Sequence, residues 1–593
     1  MCVARARRTT RERSVKCETG RVSSTYEQLA LRLRQAFDVL SPGADPVLRL
    51  SERGDYQANG VMALAKSLGR APREVAADVV AHLDLEGWAE VEVAGPGFLN
   101  LTLTPARLAQ QLRELGGDPR LGVEVTPAPA TVVIDYSAPN VAKEMHVGHL
   151  RSTVIGDALA RVFRFAGDEV IARNHVGDWG TPFGMLIEHL VDVGEDEAVA
   201  SLSMGDLNTF YQAARTTFDA DPAFRERSRE RVVALQSGDP ETRRLWRVLR
   251  DQSVAYFTEV YRKLDVTLTP EDVVGESSYN DALDTVVADL AAAGLLEESG
   301  GAWCVFPEGF TNRDGERLPL IIKKRDDGYG YAATDLAALR DRVDHLGADA
   351  LFYVVGAPQA QHLEMVFAVA RLAHWLPESV RCEHVVFGNV LGPDHKMLRT
   401  RSGESVRLVA LIDEAVQRAT DALAARAGSP EGPERATLAL QIARAAVKYA
   451  DLSTERSRDY VFDLDRMVSF EGDTGPYLQY AHARQRSILR RADAQWSYDA
   501  APFALEDPAE RHLALGLLGF ADATAAVRDS LQPHRLCTYL FDLAQRFTAF
   551  YEACPVLSAE GARRDERLAL CDLSARTLAL GLSLLGIEAP ERM

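Results

Sequence analysis

The chain has 593 residues, of which 47% are hydrophobic and 26% charged, and its formal net charge is −19. That length exceeds one hydrophobic core and predicts roughly two to four domains. The acidic balance excludes a uniformly basic nucleic-acid-binding surface, so any such contact must be local.

Residues 1–23 carry Lys and Arg without apolar periodicity and read as a disordered basic tail, with a nucleic-acid-binding arm as the sharper alternative. Residues 24–115 read as a small α+β domain. Its stretches YEQLALRLRQAFDVL, GDYQANGVMALAKSLG and VAADVVAHL have helical spacing, and two strands flank Gly95-Pro96-Gly97. GDPRLGVEVTPAPA (117–130) is a linker. No apolar run reaches the roughly 18 residues of a membrane helix, and no signal-peptide core follows the N-terminus, so a cytoplasmic location is expected. The seven cysteines are scattered without CxxC pairs and read as reduced, mostly buried thiols.

The next stretch organises the rest. TVVIDYSAPNVAKEMHVGHLR (131–151) runs from an apolar strand through a polar turn into a helix start, the first βα unit of a nucleotide-binding sheet. Phosphate binds where such strands meet helix N-termini, because free N–H groups and the helix dipole favour it. His146 and His149 are three apart and share a helix face, and Gly148 between them lets a flat ring approach. Two imidazoles for polyphosphate and a Gly floor for adenine make a coherent ATP site. An isolated H-x-G-H also occurs by chance at helix starts, so its surroundings decide.

A second strand covers 169–173 and ends in the Gly-rich NHVGDWGTPFG (174–184). Residues 185–270 are helical and charged, an insertion between two halves of the sheet, and 270–280 and 303–310 resume strand-and-loop character. In GYGYAATDLAALRDRV (328–343), Tyr331 and Asp335 are four apart and share one helix face. LFYVVGAPQAQH (351–362) is a buried strand and turn, and VRCEHVVFGNVLG another strand. Beyond 406 the spacing is almost entirely helical and predicts a bundle. RQRSILRR (484–491) places Arg484, Arg486, Arg490 and Arg491 in one basic stripe.

PNVAKEMHVGH (139–149), KMLRT (396–400), FEGDTGPYLQYAHAR (470–484) and FYEACPVL (550–557) together resemble the arginyl-tRNA synthetases, a class I aminoacyl-tRNA synthetase family, from about residue 24 to Met593. The resemblance implies an α/β fold: a Rossmann-like nucleotide-binding catalytic domain at 131–405, a small N-terminal α+β tRNA-contacting domain, and a C-terminal all-α anticodon-binding bundle at 406–593. It implies activation of L-arginine by ATP with Mg²⁺, held mainly by phosphates and water, then transfer to tRNA(Arg). A monomer is expected.

By the same resemblance His146, His149, Lys143 and Lys396 form the catalytic, charge-stabilising set. Pro139, Gly148, His362 and Arg399 join His146, His149 and Lys396 around ATP. Asp135, Asn140, Tyr331, Asp335 and Gln359 hold arginine. Carboxylates match the fork of a guanidinium bidentately, which makes Asp135 and Asp335 the acidic candidates. Tyr56, Gln57, Asn59, Phe98 and Asn100, with Arg484, Tyr551 and Met593, are candidate tRNA contacts. Three departures stand out: Arg399 replaces the second Lys of the usual KMSKS-type loop, Asp473 and Gly475 differ from the commonest junction form, and Pro555 stands where some members use an aromatic residue. Lys143 is the better phosphate contact than Arg399. Competing readings are a paralogue serving a non-translational acceptor, a catalytically inactive tRNA-binding regulator, and a synthetase for lysine.

Overall fold

The computed structural model describes residues 24–593, apart from 52, 204–206, 326–327, 400–405, 427, 429 and 493–495. The basic tail expected at 1–23 lies outside the described residues. Two compact units are present. Among the described residues the smaller comprises 24–86 with Glu90–Thr102 and Gly122–Glu124, and the larger holds the remainder.

A four-stranded sheet, in the order Leu48–Leu50, Tyr56–Ala58, Phe98–Leu103, Ala89–Ala94, lies with the helices Thr25–Leu40, Val61–Leu68 and Pro72–Ala81 in the N-terminal part. The stretch GDYQANGVMALAKSLG therefore divides into a strand and a helix, where spacing alone suggested a helix throughout. Tertiary pairing overrides the local pattern: Tyr56, Gln57 and Ala58 pair antiparallel with Leu101, Asn100 and Leu99.

The larger unit is built on a parallel sheet in the order Arg381–His384, Ala350–Tyr353, Thr131–Asp135, Glu169–Arg173. Val132, Val133, Ile134, Leu351 and Phe352 are buried, as central parallel strands require. The register puts Asp135 opposite both Arg173 and Tyr353, and Tyr353 opposite His384. The four strands thus end together, and ligands of open α/β sheets bind beyond such ends. From the central strand the chain enters Val147–Ala166, a largely buried helix closed by left-handed Gly167.

Among the described residues, five helices between Thr181 and Leu264 form the insertion. Asp221 and Asp239 cap two of them, each followed by a Pro whose fixed φ suits the first turn. A three-stranded antiparallel sheet, Glu297–Ser299, Ala302–Val305 and Leu320–Lys323, precedes the helix Tyr331–Asp344. The C-terminal region is a bundle of helices between Leu408 and Leu584, and HLALGLLGFADATAAV breaks near Gly519 into Pro508–Leu517 and Phe520–Ser530. Cys304, Cys537, Cys554 and Cys571 are buried free thiols and Cys382 is half-buried.

Two buried ion pairs fasten the HVGH helix to the bundle. Arg151 meets Asp451 at 3.2 Å, the side chains 1% and 0% exposed. Asp157 accepts from Arg161 at 2.8 Å and lies 4.0 Å from Lys448 Nζ, which donates to the Gly586 and Asp265 carbonyls.

Candidate active site

The HVGH quartet is a helix cap made of two imidazoles. His146 is the N-cap, in extended conformation, and its Nδ1 accepts from the Gly148 N–H at 3.1 Å. In return the His146 N–H donates to Nδ1 of His149, also at 3.1 Å, and the ring centroids lie 4.1 Å apart. A backbone N–H can only donate, so both Nδ1 atoms are unprotonated and each neutral ring carries its proton on Nε2. Burial, then the charge of Lys143, lowers the His146 pKa. Burial, then His146, pushes His149 down to about 3. The pair expected to stabilise charge is therefore neutral near pH 7 and acts through two N–H dipoles.

Gly148 earns its place differently from the adenine floor expected of it. A Cβ there would lie 2.8 Å from Cε1 and 2.9 Å from Nδ1 of His146, so a side chain would displace the capping ring. The free backbone N–H groups expected at this helix start are also engaged. Val147 N–H donates to the Val406 carbonyl at 2.9 Å and His149 N–H to that of His146 at 2.8 Å. With Gly148 on the imidazole, the first turn presents side-chain donors to an anion rather than bare amides.

Residues 406–408, which follow the KMLRT loop, are tied to this cap. Besides Val147 to Val406, Leu408 N–H donates to the Met145 carbonyl at 2.9 Å, and Arg407 pairs with the buried Glu144 at 3.2 Å. Lys396 and Arg399 themselves are exposed, Lys396 in a turn closed by Gly392 N–H on its carbonyl at 2.7 Å. Lys143 is half-buried, its ammonium 4.5 Å from the ring centre of Tyr211 in the insertion.

Beside the cap lies a cavity of about 690 Å³. Asn140, Lys143 and Tyr331 line it, as does Thr334 one residue before Asp335. Asn140 Oδ1 fits only because position 177 is glycine, whose Cβ would come within 2.4 Å of it. Tyr331 is 74% exposed at the start of its helix. Asp335 is half-buried and its Oδ2 is 2.6 Å from Nε2 of His362, so His362, expected against ATP, instead orients the acid expected to bind arginine. Gln359 is exposed in the 3₁₀ turn Ala357–Gln359, and Pro139 is buried.

Asp135 departs from expectation. It is 6% exposed, does not line the cavity, and its Oδ2 accepts from Nη2 of Arg342 at 2.7 Å. Arg342 is itself buried and packs 5.0 Å from the Tyr353 ring centre. Asp135 thus already holds a guanidinium from its own chain, and only Oδ1 is left without a partner.

The sequence reading passed over Glu276, Asp284, Trp179 and Tyr211, which also line the cavity. Glu276 sits in the 3₁₀ segment Glu276–Ala282, and burial, with the charges of Asp335 and Asp178, pushes its pKa up to about 7. No periodicity or motif marks it. Asp284 accepts the hydroxyl of Tyr329.

Among the candidate tRNA residues, Tyr56 is 2% exposed and Asn100 5%, the latter accepting from Gln57 Nε2 at 2.7 Å. Burial makes these two part of the sheet and its core rather than of a tRNA-facing surface, whereas Gln57, Asn59 and Phe98 are half-buried. Arg484 and Tyr551 are brought together, the guanidinium 4.6 Å from the ring centre. The basic stripe is partly neutralised, since Glu591 pairs with Arg486 at 2.8 Å and Arg490 at 3.5 Å. Gln479 donates to the Glu588 carbonyl and His482 meets that of Pro590, so the stretch leading to Met593 runs along the helix Gly475–Ala492.

A parallel sheet, a paired-histidine cap at its switch into the first helix, and a segment after the KMLRT loop, residues 406–408, bonded to that cap define a class I aminoacyl-tRNA synthetase catalytic domain. Residues 118–464 match the family described as "tRNA synthetases class I (R), catalytic domain", residues 27–103 the "Arginyl tRNA synthetase N terminal domain", and residues 478–593 the "DALR anticodon binding domain". The chain is 56% identical to an arginine–tRNA ligase of Thermobifida fusca, over 95% of this chain and 97% of that one, and 49% identical to one of Frankia casuarinae, over 96% and 99%. Crystal structures of arginyl-tRNA synthetase from Plasmodium falciparum superpose with a TM-score of 0.85 at 29% identity, covering 97% of this chain and all of that one; the Thermus thermophilus enzyme gives 0.81 at 26%, covering 96% and 100%. The chain belongs to the arginyl-tRNA synthetase family.

Proposed function

We infer that the chain is an arginine–tRNA ligase. It uses ATP to convert L-arginine to arginyl-adenylate, then passes the arginyl group to tRNA(Arg). The observation that carries this reading is 56% identity to an arginine–tRNA ligase over nearly the full length of both chains, together with an intact imidazole cap and a carboxylate-lined cavity.

In the first step a carboxylate oxygen of arginine attacks the α-phosphorus of ATP and pyrophosphate leaves. The carboxylate is ionised at neutral pH, so no base is required. Rate enhancement rests on positioning and on meeting charge that builds on the phosphoryl oxygens. His146 and His149 supply neutral Nε2–H donors to those oxygens, with Lys143 and, from the loop, Lys396 adding positive charge. In the second step a hydroxyl of the terminal ribose takes the arginyl group and AMP leaves. Mg²⁺ would enter with ATP, held mainly by its phosphates and by water.

Asp335, held by His362, and Glu276 are the carboxylates we assign to the arginine side chain, with Asn140, Tyr331 and Gln359 around it. Asp135 supports this site from beneath through its bond to Arg342. Arg484 and Tyr551 form a tRNA contact in which an exposed base stacks on the ring. No helix among the described residues is long and apolar enough to cross a membrane, and a monomeric cytoplasmic enzyme fits this function.

The test is arginine-dependent exchange between ATP and pyrophosphate, with and without tRNA(Arg), using lysine and canavanine as competitors. Exchange with arginine and none with lysine is expected. Absence of exchange from folded protein under every condition would overturn the assignment.

A further inference from the structure

The turn that delivers Lys143 to the cavity has little regular structure of its own. It leaves the strand Thr131–Asp135 through Ser137, Ala138 and Ala142, three non-glycine residues in the left-handed region with φ of 74°, 45° and 60°. Such conformations persist only where the surroundings hold them. Its backbone N–H groups also need acceptors outside any helix or sheet ladder. Val141 N–H donates to the Gly177 carbonyl at 3.0 Å. Two further bonds go to the helical insertion. Ala142 N–H donates to Oγ of the fully buried Ser253 at 2.9 Å, and Glu144 N–H to Oδ1 of Asn208 at 3.3 Å.

Asn208 bonds Glu144 in both directions. Its Nδ2 donates to Oε2 of Glu144 at 3.2 Å, and that carboxylate, 2% exposed, also takes Arg407. Tyr211 is three positions beyond Asn208, on the same face of the helix Leu207–Ala220. Its ring centre is 4.5 Å from the Lys143 ammonium, and both residues line the cavity. One face of one insertion helix therefore grips two consecutive residues, Lys143 by its side chain and Glu144 by backbone and side chain. Lysine carries its charge on a flexible four-carbon stem, so without a holder the ammonium samples many positions. A carboxylate would hold it and cancel its charge; an aromatic face holds it and leaves the charge intact.

We propose that Tyr211 and Asn208 are positioning residues for Lys143: the insertion helix fixes the turn through Asn208 and holds the ammonium on the Tyr211 ring, so that ATP meets an ordered and uncancelled positive charge. This rests on the arginine–tRNA ligase reading and adds to it a part for the helical insertion in adenylate formation. Both residues act through Lys143, not on the reacting atoms themselves.

The experiment is arginine-dependent exchange between ATP and pyrophosphate by the full-length enzyme with tRNA(Arg) present. It compares Lys143→Ala, Tyr211→Leu, Tyr211→Phe and Asn208→Ala with two double variants, Tyr211→Leu and Asn208→Ala each combined with Lys143→Ala. Thermal unfolding is followed on every variant. We expect Lys143→Ala to lower kcat about a hundredfold. Tyr211→Leu and Asn208→Ala should each lower it about tenfold at unchanged KM for arginine. Tyr211→Phe keeps the ring face and recovers most of the rate lost in Tyr211→Leu. In the Lys143→Ala background neither substitution brings a further loss, because residues that act through one group are not additive. A merely structural role would lower the rate by the same factor with or without Lys143. If Asn208→Ala does not fold, the Tyr211 cycle decides alone. Losses that multiply in the double variants, or a Tyr211→Leu rate equal to that of the unmodified enzyme, overturn the proposal and leave the ligase reading standing. Absence of exchange by the folded, unmodified enzyme overturns the ligase reading and the proposal together.

Discussion

Replacing Asp451 by Asn leaves a buried guanidinium facing a neutral amide. Arg151 is 1% exposed, its Nη1 donates to the Arg458 carbonyl at 2.7 Å, and its Nη2 has no partner, so Asp451 at 3.2 Å is what balances its charge. Breaking a buried pair from one side costs about 3–5 kcal/mol, because the surviving charge can neither hydrate nor neutralise. The pair as a whole is worth much less. Burial raises the Asp451 pKa even with Arg151 beside it, so desolvation outweighs the attraction at the acid. Arg151→Met with Asp451→Leu should therefore be close to neutral, or stabilising by about 1–4 kcal/mol. Urea unfolding followed by helical ellipticity, on the single and double variants, reads the difference. If Asp451→Asn loses less than about 1 kcal/mol, or the double variant loses as much as both singles added, the assignment of the penalty to an unpaired buried charge is refuted.

Three further outcomes follow from the site. The folded-state pKa of His149, about 3, lies below the ordinary histidine value, so the unfolded chain takes up a proton first on acidification. Stability should fall as pH drops from about 6.5 towards 3, by up to about 1.4 kcal/mol per unit, and His149→Asn should remove that slope; parallel pH–stability curves would contradict this. Gly148→Ala should leave stability nearly unchanged, since a lost cap costs about 1 kcal/mol and alanine returns about as much in helix propensity. Displacing the His146 ring should nevertheless lower kcat for exchange by about tenfold or more, measured at saturating arginine and ATP. Tyr551→Ala should raise the KM for tRNA about tenfold or more through lost stacking, with the arginine KM of exchange unchanged; Arg484→Ala should weaken binding most at low salt.

The parts legible in the sequence are those written as contiguous pattern. The strand Thr131–Asp135, the HVGH helix start, the helical insertion and the C-terminal bundle all follow from local spacing, and each is present. What escaped detection depends on residues far apart in the chain. Arg342 sits inside an ordinary-looking helical stretch, and only the fold shows that it is buried against Asp135, 207 positions away. Glu276 belongs to a 3₁₀ segment with no period, and its character comes from Asp335 and Asp178, which the sheet and helix bring to it. Asn100 looks like a polar surface residue in sequence yet is spent on Gln57 within a sheet. Likewise the basic stripe at 484–491 is offset by Glu591, 105 positions beyond Arg486 and 101 beyond Arg490, whose position no linear pattern reveals.

The fully engaged first turn of the HVGH helix bears on how the enzyme tells one anion from another. A helix terminus with free amides holds any small anion, including one the reaction has finished with. Here Val147, Gly148 and His149 have already committed their N–H groups, and the two donors that remain are neutral and fixed in spacing by one another. Such a site selects an anion by geometry rather than by charge. In the proposed reaction the helix start would then discriminate between anions by the spacing of its two donors, and the attraction of negative charge would fall to Lys143 and Lys396 instead of to the helix terminus.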